Sequence, residues 1–164
     1  MRHIHHSDLS QYRTYLLSLL NALEGIIQPP KYHPESDALY HSLQVFDLAH
    51  RQSTDPELWA AALFHDVGKS VDQKTHAQVG AEMVDGIFSP RVTWLISHHL
   101  DLLVAPRKTR LALAGADQYQ DLILLRDWDL KGRSVFAEVT EPETATDLVL
   151  SGLMSSSTDT EDQS

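Results

Sequence analysis

Apolar residues recur at spacings of three, four and seven along most of the chain, the period of helices that bury one face. The first stripe is Leu9, Tyr12, Leu16, Leu19, Leu23 and Ile26, opening at Asp8 and stopped by Pro29-Pro30. A second helix is predicted from about Ser36 to Arg51. The third opens at Asp55-Pro56, an N-cap followed by proline at the first helical position, and Gly68 closes it. The fourth opens at Thr75-His76-Ala77-Gln78, with capping-box spacing. The fifth runs from Ser89-Pro90 to about Leu103, and the last large one from Asp117 to Lys131, ending at Gly132. Thr146 to Met154 suits a short final helix. No segment alternates like a strand between Gly or Asn turns, and there is no internal repeat. The pattern predicts an all-α bundle of about six or seven helices.

Composition narrows the chemistry. A chain of 164 residues is one domain by length and large enough for its own core. It has no cysteine, so any metal must be held by nitrogen and oxygen. No apolar run approaches a membrane span and no signal peptide is visible, which makes the cytoplasm the expected location. The start, Met1-Arg2-His3-Ile4-His5-His6, resembles a purification tag and is left out of the site. The net charge of −10 is uneven. From Ser134 onward there are seven acids (Glu138, Glu141, Glu143, Asp147, Asp159, Glu161 and Asp162) and no Lys or Arg. The last ten or so residues cannot bury enough apolar surface to offset their ordering entropy and are expected to be disordered. An acidic chain is a poor binder of duplex nucleic acid, although Arg107, Lys108 and Arg110, with Lys131 and Arg133, could meet a phosphate.

The chemistry centres on Leu63-Phe64-His65-Asp66-Val67-Gly68-Lys69. A histidine beside a carboxylate on one rigid turn can hold a divalent metal that activates water. Helical phase turns several further candidates inward. His65 follows Leu58 and Ala61 by seven and four residues, His76 precedes Val79, Met83 and Ile87, and Asp129 follows Leu122 and Leu125. Asp127 lines up with Ile123, so phase alone does not exclude it. A carboxylate buried without a partner costs several kcal/mol or is forced to protonate, and a cation removes that penalty. His50 reads as an ordinary core histidine, and Tyr32-His33-Pro34-Glu35 as a structural turn.

The order His41, His65-Asp66, His76, His98-His99, Asp129 resembles the HD-domain metal-dependent phosphohydrolase superfamily. The flanking residues resemble most closely the HD domain of bacterial tRNA nucleotidyltransferases. The likeness covers about Gln28 to Arg133 and rests on four further segments besides the central motif: Tyr32-His33-Pro34-Glu35 with Tyr40-His41-Ser42-Leu43, His76-Ala77-Gln78-Val79-Gly80-Ala81-Glu82, Ile96-Ser97-His98-His99 and Asp129-Leu130-Lys131-Gly132-Arg133. It implies an HD bundle over 28–139, an N-terminal helix (1–27) packing on it, and an acidic tail (140–164) whose end is disordered.

The resemblance also implies a site. One divalent ion is held by His41, His65, Asp66 and Asp129, and Asp66 bridges to a second held by His76 and His98. Phase slightly favours His99, but the family's first-histidine pattern selects His98 and leaves His99 on the substrate side with Lys69 and Arg133. The catalytic residues are then Asp66 and Lys69. The metal is Mn, Mg, Co, Ni or Fe. The expected substrate is a small phosphate ester such as a nucleotide, with the wall of its pocket at Leu100–Arg110. No nucleotidyltransferase head precedes Met1, so CCA addition is not expected of this polypeptide alone. Two alternatives use the same residues: a mixed-valent di-iron oxygenase, and a non-catalytic module that binds a nucleotide or docks on a partner.

Overall fold

The computed structural model describes residues 6–158. A 3-10 turn at His6–Tyr12 leads into α1 (Arg13–Asn21), followed by α2 (Ala38–Gln52), α3 (Pro56–Phe64), a second 3-10 turn (Val67–Ser70) and α4 (His76–Val84). Then come α5 (Pro90–His98), α6 (Asp101–Val104), α7 (Pro106–Ala112), α8 (Asp117–Lys131) and α9 (Pro142–Thr158). Among the described residues there is no strand, only two isolated bridges, of which Ile27 with Asp37 closes the loop between α1 and α2. The architecture is all-α, as the periodicity predicts.

Three helices start where their caps place them. Asp37 accepts from the Tyr40 amide, Asp55 from Glu57 and Ser89 from Val92, and Pro56 and Pro90 occupy the first turns of α3 and α5. The fourth departs from expectation. Thr75 makes no cap bond, because its hydroxyl is donated to Asp72 instead. The helix expected from Ser89 to Leu103 breaks at His99–Leu100, so α6 is separate. The final helix is longer than expected and buries Ala145, Thr146, Val149, Leu150 and Leu153 against the body of the protein. The segment read as an acidic tail is therefore part of the core over much of its length. The disorder expected of the last ten residues does not hold for 155–158, which are helical, and 159–164 lie outside the described residues. The tag-like residues 1–5 lie outside them too.

Gly68, which the sequence marks as the residue that closes α3, does not act as a left-handed cap. Its φ is not positive, and α3 already stops at Phe64. The turn of Val67–Ser70 instead presses against the first turns of α4, where a Cβ on Gly68 would lie 2.0 Å from the His76 carbonyl oxygen and 2.7 Å from the Gly80 nitrogen. Glycine is needed here for close approach of two backbones.

The core is continuous. Phe46, Phe64, Leu95, Ile96, Leu122, Leu125 and Trp128 are all fully buried, bringing together α2, α3, α5 and α8. Trp128 also donates to Gln52 at 2.9 Å, tying α8 to α2. This packing sets the ends of α3, α5 and α8 beside α2 and the start of α4.

Candidate metal centre

Five elements deliver polar side chains into that junction. His41 comes from the first turn of α2, His65 and Asp66 follow the end of α3, His76 begins α4, His99 caps α5, and Asp129 lies in the last turn of α8. All six are buried. The helix ends matter, because a helix terminus lets a ligand leave the helical surface without breaking the packing of its apolar face.

Each of the four imidazoles is oriented through Nδ1. That atom donates to Gly132 O in His41 (2.8 Å), to Ala62 O in His65 (2.8 Å), to Gln73 O in His76 (2.9 Å) and to Ile96 O in His99 (2.7 Å). A ring whose Nδ1 is bonded to a carbonyl turns Nε2 to the centre, where it meets a carboxylate as a proton donor or a cation as a lone pair, and all four Nε2 atoms face the two carboxylates. Asp66 divides its oxygens between two sets. Its Oδ2 lies 3.2 Å from His65 Nε2 and 3.7 Å from His41 Nε2, and its Oδ1 lies 3.2 Å from His76 Nε2 and 3.4 Å from His99 Nε2. Asp129 Oδ1 joins the first set, 2.9 Å from His41 Nε2 and 3.6 Å from His65 Nε2. The triplets His41–His65–Asp66 and Asp66–His76–His99 each have ligand atoms within 4.8 Å of one another and could each hold a metal ion.

Electrostatics bind the cluster together. Burial alone would lower the His65 imidazole, but the charge of Asp66 and the nearby Asp129 outweigh it and raise its pKa to about 10. Burial would raise Asp66, yet His65 and Lys69 hold it well below the usual carboxylate range. Asp129 is depressed likewise, with His41 and His65 overcoming its burial. Burial dominates at His99 and lowers it despite Asp66. The centre is thus an arrangement of ionised carboxylates and imidazoles closed off from water.

The structure brings His99, and not His98, to the cluster. His98, read as a ligand, turns outward. Its ring stacks on Trp94 at 4.3 Å and its Nδ1 is taken up by Trp94 O and Ser97. His99, read as a substrate-side residue, is the one that meets Asp66 and His76. His99 keeps helical backbone angles (φ −62°, ψ −18°) and so stays on the inward face of Val92 and Leu95, the face that apolar phase gave it and the motif pattern did not. We expect His99→Ala to lower metal stoichiometry and His98→Ala to leave it unchanged, measured by elemental analysis of dialysed protein. A loss of metal in His98→Ala alone would restore the motif-based assignment.

The other expected residues sort as follows. Asp129 points inward, while Asp127 is on the outer face, paired with Lys131 at 2.8 Å. Lys69 is half-buried, with its ammonium 3.0 Å from Asp66 Oδ2 and in a short hydrogen bond to Gln28. Arg133 donates to Tyr32 O (2.8 Å) and Asp129 O (3.2 Å), so it straps α8 to the loop before α2. The expected wall at Leu100–Arg110 is α6 and α7, with Arg107, Lys108 and Arg110 exposed. His50, read as a core histidine, packs between Phe46 and Trp59 but is only partly buried.

Sequence reasoning passed over Glu35 and Arg126. Glu35 is fully buried behind His41, 3.1 Å from its Nδ1. Arg126 reaches Asp129 Oδ2 at 3.4 Å. Glu35 lay inside a motif read as a turn, and no periodicity marks a ligand's partner in a loop. For Arg126, the i to i+3 spacing before Asp129 was the available signal.

Comparison with known proteins adds the family. The family model described as HD domain matches residues 38–131, more than half of the chain. The Multifunctional CCA protein of Herminiimonas arsenicoxydans is 30% identical over 156 residues, which is 79% of this chain and 38% of that protein. That of Thioalkalivibrio sulfidiphilus is 29% identical over 150 residues, 76% of this chain and 37% of the relative. That of Methylococcus capsulatus reaches 46% over a shorter stretch of 52 residues, 32% of this chain and 12% of the relative. The chain spans less than two fifths of the length of these relatives. No helix among the described residues is long and apolar enough to cross a membrane.

Proposed function

The chain belongs to the HD domain family, and on that premise we propose that it is a metal-dependent phosphohydrolase acting on a nucleotide or related small phosphate ester in the cytoplasm. The observation that carries this reading is His65 Nε2. It is buried and without a hydrogen-bond partner, although two carboxylates face it. An unsatisfied buried polar atom costs about 1–3 kcal/mol. A divalent cation fits that donor set, with His41, His65, Asp66 and Asp129 holding one ion and Asp66, His76 and His99 a second.

When bound, such ions lower the pKa of a coordinated water and neutralise charge on phosphoryl oxygens. The protein's own residues do the rest. The Nδ1–carbonyl hydrogen bonds fix the ring planes, so the donor atoms need no rearrangement. Asp66 divides its two oxygens between the two sets and so holds them at a constant spacing. Lys69 is a cation already held at the centre by Asp66, close enough to take a phosphate oxygen in its place. Arg133 keeps Asp129 and the Tyr32 turn together, and its guanidinium suits phosphate in a bidentate way. Burial of all six donors excludes bulk water and strengthens each of these interactions.

The test is a panel of phosphomonoesters, cyclic nucleotides and dinucleotides, assayed for hydrolysis with the metal that copurifies. Release of phosphate or ring opening that stops on chelation and returns with Mn²⁺ is the expected result. Inertness across the panel under every divalent metal would remove the hydrolase reading.

A further inference from the structure

Behind His41 lies a carboxylate that the reaction outlined above does not use. Glu35 sits in the loop before α2, with a side chain wholly inaccessible to solvent. Its Oε1 takes a hydrogen bond from His33 Nδ1 at 2.7 Å and lies 3.1 Å from His41 Nδ1, while its Oε2 is buried with no partner. The His33 ring meets His41 edge-on at 5.1 Å and closes this carboxylate off from the surface. The backbone bends sharply to put it there. Ser36, the next residue, has φ 59°, a conformation that non-glycine residues adopt at a cost, and such strain concentrates at sites with a function. The loop is pinned on its far side by Asp37, which accepts from the Gly25 and Tyr40 amides.

The two halves of the centre therefore differ in what stands behind their imidazoles. His41 has a buried carboxylate at its Nδ1 in addition to the Gly132 carbonyl. Among the described residues, the Nδ1 atoms of His76 and His99 bond neutral backbone carbonyls, those of Gln73 and Ile96. A carboxylate behind a ligating histidine raises its basicity and fixes its ring, and loss of such a partner typically costs about 10–100-fold in metal affinity. The first half also offers four protein donors, two of them carboxylates, against three donors and one carboxylate in the second. Arg126 and Arg133 approach Asp129, and Lys69 approaches Asp66 Oδ2, so they offset part of this charge. None of the three stands behind a histidine ring, and none removes a donor.

We propose that Glu35 is a positioning residue that makes the His41–His65–Asp66–Asp129 half the tight metal site, so that the centre loads in order, with the Asp66–His76–His99 half filled second and more weakly. The inference rests on the metal-centre reading and adds an order of loading and the residue that sets it. The second ion is then the exchangeable one, and it is the ion whose occupancy responds to metal supply.

The test uses chelator-stripped full chain titrated with Mn²⁺, following free manganese by its electron paramagnetic resonance signal. The wild type should bind one equivalent tightly and a second at least about tenfold more weakly. In Glu35→Gln, which keeps the shape and loses the charge, the tight step should weaken by about 10–100-fold while the weak step is unchanged. His76→Ala should lose the weak step and keep the tight one. A merely structural role for Glu35 would lower the melting temperature of the metal-free protein without separating the two steps. If Glu35→Gln does not fold, the wild-type and His76→Ala titrations still decide the order, and Glu35→Asp, which withdraws the charge from His41, should weaken the tight step. Two equivalents taken up with equal affinity, or an unchanged tight step in the Glu35 variants, would overturn the inference. Absence of any manganese binding by the wild type would instead overturn the metal-centre reading beneath it.

Discussion

Asp66→Ala should yield a folded protein that retains neither ion at micromolar metal and releases no phosphate above background. Among the described residues no other side chain serves both halves of the centre, since Oδ2 faces His41 and His65 and Oδ1 faces His76 and His99. Its removal deletes one donor from each half together with the group that spaces them, so loss of turnover should be complete rather than partial. The fold should persist because α3 is held by its Asp55 cap and by Leu58, Ala61 and Phe64 in the core. The residual cost is about 1–3 kcal/mol, for the buried His65 and His76 nitrogens and the Lys69 ammonium that lose their facing carboxylate. Metal content, helical circular dichroism and phosphate release on the same preparation check all three parts. Wild-type turnover that consumes oxygen under iron, with no phosphate release under any metal, would transfer the protein to the di-iron oxygenase alternative. Tight nucleotide binding without turnover would leave it a binding module.

The second large effect is on stability, and it comes from a single methyl group. Gly68→Ala would place a Cβ 2.0 Å from the His76 carbonyl oxygen, with Gly80 N at 2.7 Å and His76 C at 2.8 Å. The three nearest obstacles are all backbone, so no side-chain rotation relieves the clash. Either the turn after Asp66 or the start of α4 must move. Overpacking of this kind usually costs 1–3 kcal/mol, and a purely backbone contact belongs at the upper end, about 3 kcal/mol. The displaced element carries either Asp66 or His76, so the second ion should be lost along with stability. Thermal unfolding and metal analysis of Gly68→Ala test this. A variant that melts within a degree or two of wild type with both ions bound would show that the two backbones can separate freely.

Much of the site was legible because it is carried by local rules. Apolar phase placed His65, His76 and Asp129 inward, since burial of a helix face follows from its sequence period alone. Capping chemistry fixed the starts of α3 and α5 for the same reason, as each cap satisfies amides within three residues of itself. The Asp129 motif separated it from Asp127, which the structure pairs with Lys131 on the outer face.

What was not legible depends on residues far apart in the chain. The motif pattern put His98 in the centre against the apolar phase of Val92 and Leu95, and only the meeting of α5 with Asp66 and His76 decided between the two signals in favour of His99. Gly68 looked like a helix terminator until α4 was placed against it. The core role of α9 could not be read from an acid-rich stretch, because its burial depends on the faces that α1 and α3 leave open. Glu35 and Arg126 are defined by the ligands they stand behind, and those ligands come from other segments or from a particular side-chain direction. The sequence by itself determined the helical elements, most of the inward donors and the family, because periodicity, caps and motif order are properties of neighbouring residues. Only the tertiary structure decided which histidine completes the second half, how Asp66 divides its oxygens and which carboxylate backs His41, because each is a distance between elements that meet only when the core is packed.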